Sequence, residues 1–355
     1  MSRPLYIYQM KTIKDFDLAN KKVLVRCDFN VPIDDAGNIL DDFRIKKTLP
    51  TIQYLMQHKA KVVLMSHLDP EETGFVEPQF NLGEVAKRLS ELLNVTVVKT
   101  DDCLGEKTQQ MVGALKSGQV LLLENLRFHM GEKQNTDVFA KNLAGLAQIY
   151  INDAFSVCHR AHASVVGIPK YLPSGVGLLV EEEIKKLDKI LKNPKHPLIA
   201  IVGGDKVGTK VAFINNISRL ADFVLIGGLL KKESIAEHIS FENPDKIIGP
   251  EDNLDAPDID QKTVDLFVEK ILAAETVVWN GPFGKFEDEK YKEGTLAISK
   301  AIIESKAFSV VGGGQTVEFL NKEGMIDKFS HVSTGGGAML DYLSGEKLPG
   351  LEVLK

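Results

Sequence analysis

Charged and imidazole side chains recur just beyond apolar runs in the first half of the chain. Arg26, Asp28 and Asn30 close "VLVRCDFN", Arg44 lies in "DDFRI", and His67 ends "VVLMSH". Arg127 and His129 follow in "LLLENLRFH", and His159, Arg160 and His162 make up "CHRAH". A guanidinium is planar and offers parallel donors, so it grips a carboxylate or phosphate in a fixed orientation. Any one such arginine alone is more often a solvated or salt-bridged surface charge. A set that recurs after strand upon strand is what a small, multiply anionic ligand requires.

The second half offers glycine where the first offers charge. Gly203 and Gly204 stand in "VGGDK", Gly227 and Gly228 in "IGG", and Gly312, Gly313, Gly314, Gln315 and Thr316 in "VGGGQT"; "WNGPFG" and "STGGG" complete the series. Glycine lets a phosphate come close to bare amide N–H groups, and a following helix adds the positive end of its dipole. The series predicts a polyphosphate cradled by backbone. Neither GxxxxGKS nor GxGxxG occurs, which excludes a P-loop and a dinucleotide fingerprint. Lys206 and Lys210 share a helical face, as phosphate ligands or as surface lysines. A phosphate site that works with magnesium usually offers the metal a carboxylate, yet position 315 is glutamine. An anion site plus a polyphosphate site suggests phosphoryl transfer. The chain shows no Ser–His–Asp or Cys–His arrangement, which fits an acceptor that needs no deprotonation, such as a carboxylate. Catalysis would then rest on alignment and on neutralising the moving charge.

These residues need a scaffold of strands that all end on one side. "KVLVRCDFNV", "AKVVLMSH", "VTVVKT", "QVLLLENL" and "QIYINDAF" read as strands in the first half, with amphipathic helices at 82–93 and 137–147 between them. "PLIAIVGG", "DFVLIGG", "TVVWNGP", "FSVVGGG" and "SHVSTGGG" form a second series. Apolar strands alternating with helices predict an α/β fold with parallel sheets covered on both faces. A chain of 355 residues is long for one core, so two domains are expected. The charged stretch 180–193 reads as an interdomain helix between a domain at 1–179 and another at 194–337; the Pro- and Asp-rich stretch 239–260 reads as loop. The net charge of −6 argues against nucleic acid as a partner, and no apolar run approaches a membrane span. The start lacks the layout of a signal peptide, and Cys27, Cys103 and Cys158 lie far apart without a CxxC. These features suggest a cytoplasmic protein without disulfides or a zinc site.

In their order, "VLVRCDFNVP", "LLLENLRFH", "INDAFSVCHRAHAS", "VGGDKV", "WNGPFGKFE", "VVGGGQT" and "FSHVSTGGGA" resemble the phosphoglycerate kinase family from about residue 11 onward. The resemblance implies two doubly wound α/β domains facing a cleft and a tail at 338–355 that returns to the first domain; two half-sites on separate domains suggest closure over the interdomain helix. It implies 3-phosphoglycerate bound by the first domain, ATP or ADP with Mg2+ bound by the second, and a monomer. Asp28 and Asn30 would meet the hydroxyl and carboxylate end of the triose. Arg44, His67, Arg127 and Arg160 would bind the acid and its phosphate, with Arg44 near the transferring group, and Arg26, His159 and His162 would complete the basic patch. Lys206 and Lys210 resemble the phosphate-binding lysines. Asn280 and Pro282 would line the nucleotide site, Glu287 would bond the ribose, and Gly313 and Gly336 would turn amides toward the phosphates.

The chain departs from that pattern in four places. "SHLDPE" puts Pro70 where a substrate-side arginine is expected, "LLKKES" follows "IGG", and the segment before "WNGP" is short. Gln315 stands where the family has a magnesium-site aspartate. Asp205, in "VGGDK", either supplies the missing charge or caps the next helix. A non-catalytic relative that binds a nucleotide or an anionic metabolite is the competing reading.

Overall fold

Runs of β-branched and long apolar side chains become strands where both faces can be covered. The computed structural model describes residues 10–69, 78–204, 208 and 210–355, so Pro70, Asp205 and Lys206 lie outside the described residues. One sheet holds β1 (Lys22–Arg26), β2 (Lys61–Met65), β3 (Val97–Lys99), β4 (Val120–Leu122), β5 (Ile149–Asn152) and β6 (Ser174–Val176). A second holds β7 (Leu198–Val202), β8 (Phe223–Ile226), β9 (Ile247–Ile248), β10 (Thr276–Asn280), β11 (Phe308–Gly312) and β12 (His331–Val332). Their orders are β3-β4-β2-β1-β5-β6 and β12-β11-β10-β7-β8-β9, and the paired strands are parallel. β5, β7 and β10 are buried at every residue, as strands covered on both faces should be.

The order places the sites. In the first sheet β2 lies on one side of β1 and β5 on the other, so the winding reverses between β1 and β5. In the second sheet it reverses between β7 and β10. Ligands of open α/β sheets bind outside the carboxyl ends of the strands at such reversals.

Two edge strands were not expected. β6 follows Pro173, where the sequence reads as a boundary. It pairs with β5 and packs so close to Lys11 that a Cβ on Gly175 would lie 2.7 Å from the Lys11 carbonyl oxygen. β9 lies inside 239–260, which is otherwise irregular apart from the short turn Pro244–Lys246. Neither is long enough to show a period.

The chain forms two units, one running to Ile184 and taking in Lys347–Lys355, the other Lys185–Glu346. The expected interdomain helix spans Leu178–Lys192. Its second amide, Leu179 N, donates to Asp153 Oδ1 at 3.0 Å. Residues 338–346 sit in the second unit, and only Lys347–Lys355 return. In that returning segment Gly350 N donates to Cys158 O at 2.8 Å, and Leu348, Leu351 and Leu354 are buried. The first unit's core joins Val23, Val25, Leu64 and Ile151 of the sheet to Ile52 and Leu89 of its helices. Phe213, Phe267, Trp279 and Phe319 are fully buried in the second. All three cysteines are free and buried. Among the described residues no helix is long and apolar enough to cross a membrane.

Candidate active site

The first reversal brings together groups from both strands beside it. Ser156, in the turn beyond β5, donates its hydroxyl to Asp28 Oδ2 at 2.5 Å. Arg44, on the helix Phe43–Gln57, donates to the same oxygen at 2.7 Å and to Asn30 O at 3.1 Å. Asn30 donates its backbone N–H to Asp28 Oδ1 at 3.0 Å, and its side-chain oxygen accepts from Asp69 N at 2.8 Å. Asn30 thereby ties the exit of β1 to the exit of β2.

Arg26 lies deeper than the sequence suggests. It is fully buried, and Nε donates to Ser164 Oγ at 2.8 Å. Ser164 in turn donates through its hydroxyl (2.5 Å) and its backbone N–H (2.9 Å) to the buried Glu132 carboxylate. Nη1 donates to Cys27 O, and Nη2 meets His67 Nδ1 at 3.2 Å. All three Arg26 nitrogens are thus engaged by protein, one of them with His67.

Arg127 is the opposite case. It is buried, Nη1 stands 4.0 Å from Asp69 Oδ2, and Nε and Nη2 find no hydrogen-bond partner among the described residues. Burial first, then the Arg26 charge, lowers its pKa. Leaving a buried cation short of partners is costly. Such an arrangement suits a pocket whose missing partner is an anionic ligand.

The histidines report the same field. Burial and then Arg26, Arg127, Arg44 and Arg160 hold His67 well below the usual histidine range, so its ring is neutral near pH 7. Burial, followed by Arg127, Arg26, Arg160 and His159, pushes His162 down to about 3. Arg160 Nε donates to His159 Nε2 at 3.3 Å. Arg26, Arg44, Arg127 and Arg160 thus act together on His67, and Arg26, Arg127, Arg160 and His159 on His162. His129 is turned away from this network: its Nε2 meets Asp102 Oδ1 at 2.6 Å.

The His162 shift has a signed consequence. An unfolded histidine titrates at about 6.5, so as pH falls the unfolded chain takes up that proton before the folded one. Stability is therefore lost progressively from about pH 6.5 down toward the folded value of about 3. His162→Gln removes this contribution. Urea midpoints at about pH 7 and pH 5 should lie closer together in His162→Gln than in the parent, and an equal spacing would contradict the assignment.

Asp69, Lys133, Glu132 and Ser164 are tied into this cluster but carry no signal of their own in the sequence. Asp69 is buried in the turn after β2, and Lys133 Nζ donates to its Oδ2 at 3.3 Å. It sets a carboxylate among the guanidinium groups, immediately before Pro70.

At the second reversal β7 and β10 end almost in contact. Gly203 N donates to Asn280 O and Gly204 N to Pro282 O, each at 3.0 Å. A Cβ on Gly203 would lie 2.1 Å from Pro282 O, and one on Gly281, whose φ is +89°, would lie 2.3 Å from Gly203 O. Lys210 is buried and donates through Nζ to Gly203 O. Thr316 is buried and accepts from Gly281 N at 3.0 Å. Both side chains brace the glycine crossing.

Beside that crossing opens a cavity of about 480 Å³ lined by Gly204, Gly227, Gly228, Pro282, Glu287 and Gln315. Gln315 and Glu287 are exposed on its wall. The rest of its wall mixes apolar side chains such as Pro250, Ile259 and Phe283 with charged ones, Asp252, Asp255, Asp258, Asp260 and Lys285 among them. Much of it is the stretch without periodicity, anchored where Asp258 Oδ2 accepts from Gly294 N at 2.9 Å. Gly203, Lys210, Asn280, Gly312, Gly313, Gly314, Thr316 and Gly336 do not line the cavity. Gly313, at φ +99°, precedes the helix Gly314–Lys322, and Gly336 begins the helix Gly336–Leu343.

Known proteins match along the chain. The family model for phosphoglycerate kinase matches residues 13–238 and 231–346. The phosphoglycerate kinase of Dictyoglomus turgidum is 43% identical over an alignment of 389 residues, covering 97% of this chain and 98% of its own. That of Pelotomaculum thermopropionicum is 40% identical, with the same coverage. Both alignments exceed the 355 residues of this chain, so the relatives carry residues that it lacks. Among solved structures, the phosphoglycerate kinase of Pyrococcus horikoshii superposes with a TM-score of 0.87 at 32% identity, and that of Coxiella burnetii with 0.80 at 35%. Each covers 97% of this chain and 98% of the other.

Proposed function

The chain belongs to the phosphoglycerate kinase family, and from that premise we infer how its residues divide the work. The reaction is reversible phosphoryl transfer between 1,3-bisphosphoglycerate with ADP and 3-phosphoglycerate with ATP, a step of glycolysis. In the direction of ATP use, a carboxylate oxygen of 3-phosphoglycerate attacks the γ-phosphorus. A new O–P bond forms as the bond to the β-phosphate oxygen breaks, and no proton need leave the acceptor.

The observation that supports this assignment of sites is the buried cluster of guanidinium groups beyond β1 and β5, where two Arg127 donors have no partner among the described residues. There Arg127, Arg160, His67 and His162 take the phosphate and carboxylate of 3-phosphoglycerate, Asp28 and Asn30 orient its hydroxyl end, and Arg44 lies nearest the group in transfer. Neutral His67 and His162 act as hydrogen-bonding groups before the anion arrives, and each gains affinity for a proton once it binds. In the second unit the amides beyond β7, β11 and β12 meet the phosphates with Lys206, and the base and ribose enter the cavity between Glu287 and Pro250–Ile259. The two family matches meet at 231–238. We infer that the shortening falls near there and that the 250–260 stretch closes the base side.

Magnesium would neutralise the nucleotide phosphates. It usually takes one or two carboxylates besides phosphate and water. Gln315 offers only a carbonyl oxygen, so the fit depends on Asp205 supplying the charge, directly or through water. We propose a monomeric, cytoplasmic, magnesium-dependent enzyme.

A coupled spectrophotometric assay with 3-phosphoglycerate, ATP and a magnesium titration tests this reading. Turnover is expected, with half-saturation at high magnesium. Gln315→Asp should lower that concentration several-fold, and Asp205→Ala should raise it. A folded protein that turns over at no magnesium or manganese concentration would instead be a binding relative. An Asp205→Ala curve overlying the parent's would leave Asp205 as a helix cap only.

A further inference from the structure

The cysteines carry no zinc spacing in sequence, yet the fold gathers three ligand types at the exits of β3 and β4. Asp102 Oδ1, Cys103 Sγ and a ring nitrogen of His129 all lie within 4.8 Å of one another. We propose that Asp102, Cys103 and His129 form a binding site for a borderline-soft divalent cation, Zn2+ in the first instance, separate from the magnesium–nucleotide site.

The elements around it hold the ligands near one another for reasons unrelated to phosphoryl transfer. The loop after β3 is fixed by two hydroxyls, Thr100 Oγ1 at 2.7 Å and Thr108 Oγ1 at 2.9 Å, which both donate to Asp102 O. Cys103 is buried beneath that loop and donates its S–H to Glu124 O, just beyond β4, at 2.9 Å. His129 follows the turn Leu126–Phe128, its ring set against Phe139 at 5.0 Å between centroids. Burial above all, then the Asp102, Glu124 and Glu132 charges, hold the Cys103 thiol well above the usual range, with Lys99 opposing. Lys99 itself is held by Glu124 and by Thr100 O.

The geometry needs only side-chain motion. Tetrahedral zinc with bonds of about 2.0–2.3 Å asks for ligand atoms roughly 3.3–3.7 Å apart. The Asp102–His129 contact of 2.6 Å must open, and the wider separations must close. The Asp102 side chain is 55% exposed and that of His129 28%, so both can turn, and solvent supplies the fourth ligand. Binding releases the Cys103 proton to solvent and leaves the metal on thiolate, imidazole and carboxylate. This mixed set of N, S and O donors favours zinc over magnesium. An ion here would pin the turn that carries Arg127 to the loop after β3.

Co2+ is the probe, because a thiolate ligand gives it a near-ultraviolet charge-transfer band. Full-length protein should bind one equivalent of Co2+ with that band, and Zn2+ should displace it. Competition with a chromogenic chelator should give a Zn2+ affinity at least roughly tenfold weaker in Asp102→Asn and in His129→Gln. The band should vanish in Cys103→Ala. Because a buried cysteine can disturb folding, the other two substitutions carry the test alone if that variant fails to fold. Absence of a band in the parent would overturn the site, as would a band that survives in Cys103→Ala, or a Zn2+ affinity unchanged in both Asp102→Asn and His129→Gln.

Discussion

Arg127→Met is expected to lower kcat/KM for 3-phosphoglycerate by about 10²- to 10³-fold while leaving the melting temperature unchanged or higher. The two halves of this expectation share one cause. Two guanidinium nitrogens are buried without partners among the described residues, and burial together with neighbouring arginines already disfavours the charge. Two charge-assisted hydrogen bonds to an anionic ligand would contribute about 3–4 kcal/mol, the source of the loss in kcat/KM. In the free protein the same charge brings desolvation and like-charge repulsion, and methionine fills much of the space without either. Steady-state kinetics and a thermal melt on one preparation decide the matter. A variant that loses stability and activity together would show that Arg127 serves the fold, and full activity would remove it from the site.

Gly281→Ala is expected to remove about 3–4 kcal/mol of stability from the second unit and to weaken ATP binding with it. Two penalties coincide there. A φ of +89° strains any side chain by about 1–3 kcal/mol. The added Cβ would also sit 2.3 Å from Gly203 O, a backbone atom that cannot rotate away. The strand ends must then part, breaking the Gly203–Asn280 and Gly204–Pro282 hydrogen bonds beside the nucleotide cavity. Gly324→Ala is the control, because φ is +65° and nothing lies within 4 Å of the new carbon. It should cost about 1 kcal/mol. Equal losses in the two variants, measured by denaturant unfolding, would mean that backbone strain alone matters and that the close crossing does not.

The central strands were legible because burial on both faces leaves an unbroken apolar run, as in "LIAIV". β6 and β9 were not, since two or three residues at an edge show no period. The arginines at the strand exits were legible because polar groups at the ends of apolar strands have little other reason to recur. Depth was not: nothing in "VLVRCDF" tells that Arg26 faces Ser164, 138 residues away. His129 reads as a companion of Arg127, yet the turn between them sends its ring to the loop after β3. Asp69 and Glu132 went unnoticed because a single carboxylate has no spacing to recognise. The wall at Pro250–Ile259 was hidden for the opposite reason: its shape comes from capping and turn contacts such as Asp258 with Gly294, not from a repeating pattern.

Lys347–Lys355 belong to the first unit although all of Lys185–Glu346 intervenes. During synthesis the ribosome therefore releases the first unit's final segment only after the second unit has been made. Until then Cys158 O lacks the Gly350 amide, and the surface that receives Leu348, Leu351 and Leu354 stays open to water. The second unit, continuous in sequence, can complete itself first. The nascent chain thus passes through a stage in which its earlier-made half is the less finished one, exposing an apolar patch that a holdase chaperone could cover until that segment is made.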